Sequence, residues 1–145
     1  MPSAVDVGIA TQASEELLVA CLRLIPQLSS SSTPLTTSEL AEIINSPSTV
    51  LFVARVENEI VGLLTLALFR IPTAMRAWIE DVVVDAAARG GGVGEALNLA
   101  ALAEAKRRGA RTVDLTSRPS REAANRLYQR LGFVQRETNV YRYEL

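Results

Sequence analysis

Three groups of residues in this chain combine types and spacings suited to chemistry. The first is Arg89-Gly90-Gly91-Gly92-Val93-Gly94, which follows the Val-rich run Val82-Val83-Val84 and leads straight into an Ala/Leu-rich segment. Four glycines in six positions remove nearly every Cβ from a strand-to-helix turn, so backbone amides can crowd a ligand. The helix start adds a partial positive charge at the same place. Such a turn suits phosphate. The last glycine is followed by Glu95 rather than Lys-Ser/Thr, which argues against a nucleotide-triphosphate loop.

The second group is Trp78-Ile79-Glu80-Asp81-Val82-Val83-Val84. Two adjacent carboxylates inside an apolar strand are costly unless solvated or paired. Strict alternation puts Trp78, Glu80, Val82 and Val84 on one face and Ile79, Asp81, Val83 and Asp85 on the other. A carboxylate in a partly desolvated cleft is a candidate proton acceptor. The bland alternative is an ion pair with an arginine such as Arg76. The third group is Ala123-Ala124-Asn125-Arg126-Leu127-Tyr128-Gln129-Arg130-Leu131-Gly132-Phe133. Leu127 and Leu131 share a helical face, Gly132 ends the helix, and Tyr128 lies one residue round from the apolar stripe.

What is missing narrows the chemistry. The chain has no histidine, which removes Ser-His-Asp triads, Cys-His pairs and His-ligated metals. Acid-base work falls to carboxylates, tyrosine, Cys21, the single lysine Lys106, or water, and no metal is expected. Cys21 is the one cysteine, so no internal disulfide forms, and its place on an apolar helical stripe reads as core. A formal charge of −1 gives no basic footprint for nucleic acid or an anionic membrane. The start of the chain lacks a basic-then-apolar leader and no apolar run is long enough to span a bilayer, so a cytoplasmic location is expected.

The elements that must position these groups can be read from periodicity. At 145 residues a single domain over 1–145 is expected, with no repeat and no linker. The pattern predicts a strand over 5–10, then a helix led by Thr11 to Ser14 and stopped near Pro26. A Ser/Thr-rich loop over 28–37 follows, and a short helix capped by Thr36 or Thr37. Strands over 50–56 and 60–69 form a hairpin around Glu57-Asn58-Glu59, and a third strand covers 76–85. A helix over 93–108 ends at Gly109, a short strand covers 112–116, and a helix capped by Ser120 runs to Leu131. Strands over 133–137 and 140–145 close the chain. The order β-α-α-β-β-β-α-β-α-β-β is α+β, with a mostly antiparallel mixed sheet flanked by helices.

Arg89, Gly92 and Gly94 match the Gln/Arg-x-x-Gly-x-Gly/Ala signature of the GNAT superfamily of N-acetyltransferases, and the chain resembles that family. The segment from Ala124 to Phe133 is similar to the family's Ala-x-x-Leu-Tyr-x-x-x-Gly-Phe. The resemblance covers roughly Val50 to the end of the chain. It implies the GNAT fold, with acetyl-CoA as co-substrate. Amides from Arg89 through Gly90, Gly91, Gly92, Val93 and Gly94 to Glu95 would hold the pyrophosphate. Backbone groups of Val82, Val83 and Val84, on a strand splayed from its neighbour, would pair with the pantetheine arm. A proline that often follows this strand is replaced within Asp85-Ala86-Ala87-Ala88, which removes a rigidifier.

The resemblance also implies that Tyr128 is the acid that protonates the departing thiolate, as a phenol of higher pKa than a thiol can do. Asn125, and with less specificity Arg121, would contact the cofactor. Ile79-Glu80-Asp81 is similar to the strand that organises the acceptor in the glucosamine-6-phosphate N-acetyltransferase branch. Glu80 is then the expected base or water-holder, with Asp81 second. The expected function is transfer of the acetyl group of acetyl-CoA to a primary amine by direct attack in a ternary complex. The acceptor is a small molecule or a peptide. The rival is a non-catalytic acyl-CoA-binding sensor or regulatory module. A different phosphate ligand, such as a free nucleotide, is a third reading. C-terminal strands that leave an open edge would favour a homodimer.

Overall fold

The computed structural model describes residues 3–145, and the chain divides into one unit ending at Leu115 and another spanning Thr116–Leu145. In the first unit the elements are β1 (Val5–Ile9), α1 (Glu15–Leu28), α2 (Thr37–Asn45), β2 (Thr49–Val56), β3 (Glu59–Ile71), β4 (Ala74–Val84), α3 (Val93–Arg107) and β5 (Thr112–Asp114). A 3-10 turn, Ala86–Ala88, sits between β4 and α3. The second unit holds α4 (Glu122–Leu131). Among the described residues no helix is long and apolar enough to cross a membrane.

The sheet order is β1-β2-β3-β4-β5, antiparallel throughout except for the parallel pair β4–β5. Alternation along β3 sends neighbouring residues to opposite faces. Leu63 packs in a cluster with Leu17, Ala20, Cys21 and Leu24 of α1 and Leu40 of α2. Gly62, one residue earlier, meets Val93 and Leu97 of α3. Helices therefore cover both faces of the sheet, with α3 opposite α1 and α2.

Several local expectations are met and some are corrected. Ser14 caps α1, accepting from the Leu17 amide, and Thr36 forms a capping box with Glu39 on α2. The first helix does not stop at Pro26 but runs on to Leu28. Burial of its stripe Leu17, Ala20, Cys21 and Leu24 outweighs the one backbone bond that proline removes. Leu22, one residue round from Cys21, is exposed. The hairpin turn is two residues, Glu57 and Asn58, both at positive φ, which matches the twist of the flanking strands. No side chain caps α4, whose N-cap is Arg121 rather than Ser120.

The largest correction lies at the end of the chain. Residues 133–137 and 140–145 form no strand, and Val134, Val140, Tyr141 and Tyr143 are exposed. Alternating apolar residues favour a pleated surface only where a neighbouring strand supplies the ladder. The second unit contains no other strand to pair with.

Candidate functional site

The carboxylate pair stands on β4, and the geometry there departs from a plain strand. Pairing with β3 runs Leu66 with Ile79 and Thr65 with Glu80, then resumes at Leu63 with Val83. One extra β4 residue is thus accommodated opposite Leu64, and Asp81 takes φ of 51°. This is a β-bulge, a device that re-aims side chains and amides locally. It overturns the strict alternation expected for the segment. Ala77, Ile79 and Val83 are buried and Glu80 and Asp81 are both exposed, and the shift pairs Ile79 with Leu66 but Val83 with Leu63, so those two no longer share a face. Exposure removes the cost of two adjacent carboxylates, and neither makes an ion pair among the described residues, so Arg76 is not their partner.

Beyond the bulge, β4 has an open edge. Its parallel pairing with β5 is confined to Arg76, Ala77 and Trp78 with Thr112, Val113 and Asp114. From Ile79 to Val84 the side of β4 away from β3 has no strand partner among the described residues, and Val82, Val83 and Val84 lie on this stretch.

The glycine turn follows directly. Gly92 is the N-cap of α3 at φ 81°, and no side chain caps the helix. The amides of Gly92, Val93 and Gly94 have no hydrogen-bond acceptor among the described residues. Gly90 is also left-handed, at φ 85°, and a Cβ at Gly90 or Gly92 would meet nothing within 4 Å. Gly91 is different. Its φ is ordinary and a Cβ there would lie 3.4 Å from the Ala88 carbonyl oxygen, an ordinary contact, so the fold does not demand glycine there. These features fit a bound anion: orphan donors, a helix dipole and no side chain in the way.

Asp85, at the junction of β4 and the turn, is held below the usual carboxyl range. The Ala87 amide is the main cause and Arg23 adds to it. Arg23 and Gln27 reach this junction from α1, and neither stands out in the sequence. Their only sequence signal is a pair of polar residues four apart on a helix that is otherwise apolar after Glu16. Gly62 was likewise unmarked, since close approach of α3 depends on a contact distant in sequence.

In the second unit, Tyr128 packs edge-on against Phe133, with ring centres 5.7 Å apart. Burial lifts its hydroxyl above the ordinary 10.0, opposed by Arg121. Asn125 donates through Nδ2 to the carbonyls of Arg118 and Arg121, both at 2.9 Å, which spends its donors on the turn before α4. Only Oδ1 is then left to face a ligand. Cys21 is buried, and burial pushes its thiol up, away from the reactive thiolate. Two clefts of the first unit, about 290 Å³ beside Thr11 and Gln12 and about 230 Å³ between Arg76 and Arg111, include neither carboxylate nor turn. The candidate site is built on a strand edge without a ladder partner and a helix start.

Residues 12–133 match the family model described as the acetyltransferase (GNAT) family. No curated protein matches the chain. Among solved structures, a transcriptional regulator from Bacillus halodurans C-125 is 31% identical, with 97% of this chain and 100% of that chain covered and a TM-score of 0.79. A putative acetyltransferase from Agrobacterium tumefaciens is 26% identical over 96% of this chain and 99% of that one, with a TM-score of 0.84. An aminoglycoside acetyltransferase from an uncultured soil metagenomic sample, in complex with sisomicin, shares the fold. It is 20% identical over 97% of this chain and 95% of that chain, with a TM-score of 0.83. With its open β4 edge, uncapped glycine turn and mixed sheet, the chain belongs to the GNAT family of acetyltransferases.

Proposed function

We propose that this chain is an N-acetyltransferase that carries the acetyl group of acetyl-CoA to a primary amine, with both substrates bound together. One observation carries this reading. A strand edge free from Ile79 to Val84 runs into a helix start whose Gly92, Val93 and Gly94 amides lack acceptors. The first suits an amide-bearing pantetheine arm that adds as a strand, and the second suits a pyrophosphate.

Bound acetyl-CoA supplies a thioester carbonyl open to attack. In this reading Glu80, directly or through water, takes the proton from the attacking amine as the C–N bond forms, and Asp81 is its alternate. A backbone amide near Val82, re-aimed by the bulge, donates to the carbonyl oxygen. Tyr128 gives its phenolic proton to the sulfur as the C–S bond breaks. A phenol is protonated at neutral pH, so it has a proton to give. Arg89 and the turn through Glu95 hold the pyrophosphate, and Asn125 contributes Oδ1.

A second reading has support of its own, because a relative of 31% identity is a transcriptional regulator. In it the chain binds acyl-CoA as a sensor without turnover. The acceptor in the first reading is a small-molecule or peptide amine. The sisomicin-bound relative makes cationic amines the first class to screen.

Calorimetry with acetyl-CoA on the wild type and on Gly91→Glu tests the cofactor. Gly91 is the cleaner site because its backbone is unstrained, whereas a side chain at Gly92 would confound blockage with strain. Saturable binding in the wild type and at least about tenfold weaker binding in the variant is expected. Absence of binding by the wild type sinks both readings.

A further inference from the structure

The turn that precedes the open amides is pinned from outside. Every amide from Asp85 to Ala88 has an acceptor: Asp85 N–H to the Val61 carbonyl at 2.8 Å, and Ala86 N–H to Gln27 Oε1 at 2.9 Å. Ala87 N–H donates to Asp85 Oδ1 at 3.1 Å, and Ala88 N–H to the Asp85 carbonyl at 2.8 Å. The boundary is abrupt, since a few residues later the Gly92, Val93 and Gly94 amides have none. Two of the groups behind this order come from α1. Arg23 pairs through Nη1 with Asp85 Oδ2 and donates through Nη2 to the Ile60 carbonyl at 2.6 Å, so one guanidinium ties the start of β3 to the end of β4. Gln27, one helical turn later, takes the Ala86 amide.

A glycine-rich segment has many backbone states, and ordering it on binding costs affinity. Fixing its leading end lowers that cost. Asp85 is the hinge point, because its side chain both caps the 3-10 turn and receives Arg23. Arg23 and Gln27 lie 62 and 59 positions from Asp85 and Ala86 in sequence, and they act through those two residues.

We infer that Arg23 and Gln27 of α1 are positioning residues that hold the Asp85–Ala88 turn so that the following amides face a pyrophosphate. The inference rests on the cofactor reading above and assigns it two residues from the opposite side of the sheet to α3. Position 86 opens a 3-10 turn, where proline is tolerated and its missing N–H needs no acceptor. Ala86→Pro therefore replaces what Gln27 does by a covalent constraint.

The experiment is calorimetry of Gln27→Ala, Arg23→Gln and the double variant Gln27→Ala/Ala86→Pro, each with coenzyme A and with pantetheine, which lacks the pyrophosphate. Thermal unfolding without ligand is run beside it. Gln27→Ala and Arg23→Gln are expected to weaken coenzyme A about tenfold while pantetheine affinity stays within twofold. The proline should restore coenzyme A binding to Gln27→Ala. Equal coenzyme A affinity in wild type and variants overturns the positioning role and leaves the cofactor reading intact. So does parallel weakening of both ligands, or absence of rescue by the proline. If Arg23→Gln does not fold, Gln27→Ala and its rescue decide the matter. No coenzyme A binding by the wild type overturns the cofactor reading and this inference with it.

Discussion

Glu80 and Asp81 stand together in solvent because β4 carries one residue more than β3 opposite Leu64. Without that bulge Glu80 and Asp81 would alternate to opposite faces of the sheet, as neighbours on a plain strand do. In the proposed mechanism an amide next to this irregularity, near Val82, serves the thioester carbonyl. If Glu80 accepts the amine proton, Glu80→Gln should lower kcat about 10²-fold at neutral pH. The deficit should shrink as pH rises and the amine arrives already deprotonated. A constant deficit across pH would assign Glu80 to binding instead. Tyr128→Phe should cost turnover by a similar factor with acetyl-CoA affinity kept. A chain that binds acetyl-CoA but releases no thiol with any amine, wild type and variant alike, is a sensor.

Among the elements, α3 is placed by a glycine that is not in the turn. A Cβ on Gly62 of β3 would lie 2.8 Å from Val93 Cγ1 and 3.0 Å from Leu97 Cδ1, both on buried side chains. Val93 is also the first residue of α3, so whatever moves it moves the open amides. Gly62→Ala should destabilise the fold by about 1–3 kcal/mol through overpacking, read from urea denaturation. It should also weaken acetyl-CoA binding in the same protein. Full stability with normal binding would show that α3 has slack against the sheet. The opposite helix, α1, acts on the same turn through Arg23 and Gln27, so the candidate cradle is supported from both faces of the sheet.

For the molecule as a whole, the main charged anchor lies at the far end of α3. Glu104 is buried and accepts from Arg107 at 2.8 and 2.7 Å and from Arg108 at 2.9 Å. Arg108 also donates to the Pro47 carbonyl, tying α3 to the segment before β2. The arginines, Arg107 first, hold the Glu104 carboxyl at about 2 against the opposing effect of burial. A carboxylate whose folded pKa is lowered contributes stability above its unfolded value, and that contribution is lost as pH falls from about 4.5 toward about 2. Glu104→Gln should therefore lower Tm at pH 7 by about 3–6 °C. Wild type and variant should converge as the pH approaches 2. A Tm difference that persists at pH 2 would assign the effect to packing and not to charge.

Much of this was legible in residue order because it depends on neighbours along the chain. Four glycines within six residues specify a turn of open amides whatever surrounds them. Ser14, Thr36 and Gly132 mark helix ends by local hydrogen bonding and φ alone. The absence of histidine limits the chemistry without any fold at all. Tertiary structure decided what depends on partners distant in sequence. Register against β3 converts an alternating strand into a bulge, packing carries α1 through Pro26, and lack of a pairing strand leaves residues 133–145 out of any ladder. Arg23, Gln27 and Gly62 gain their roles only when α1, β3 and α3 come together. A contact between residues about sixty positions apart leaves no periodicity to read.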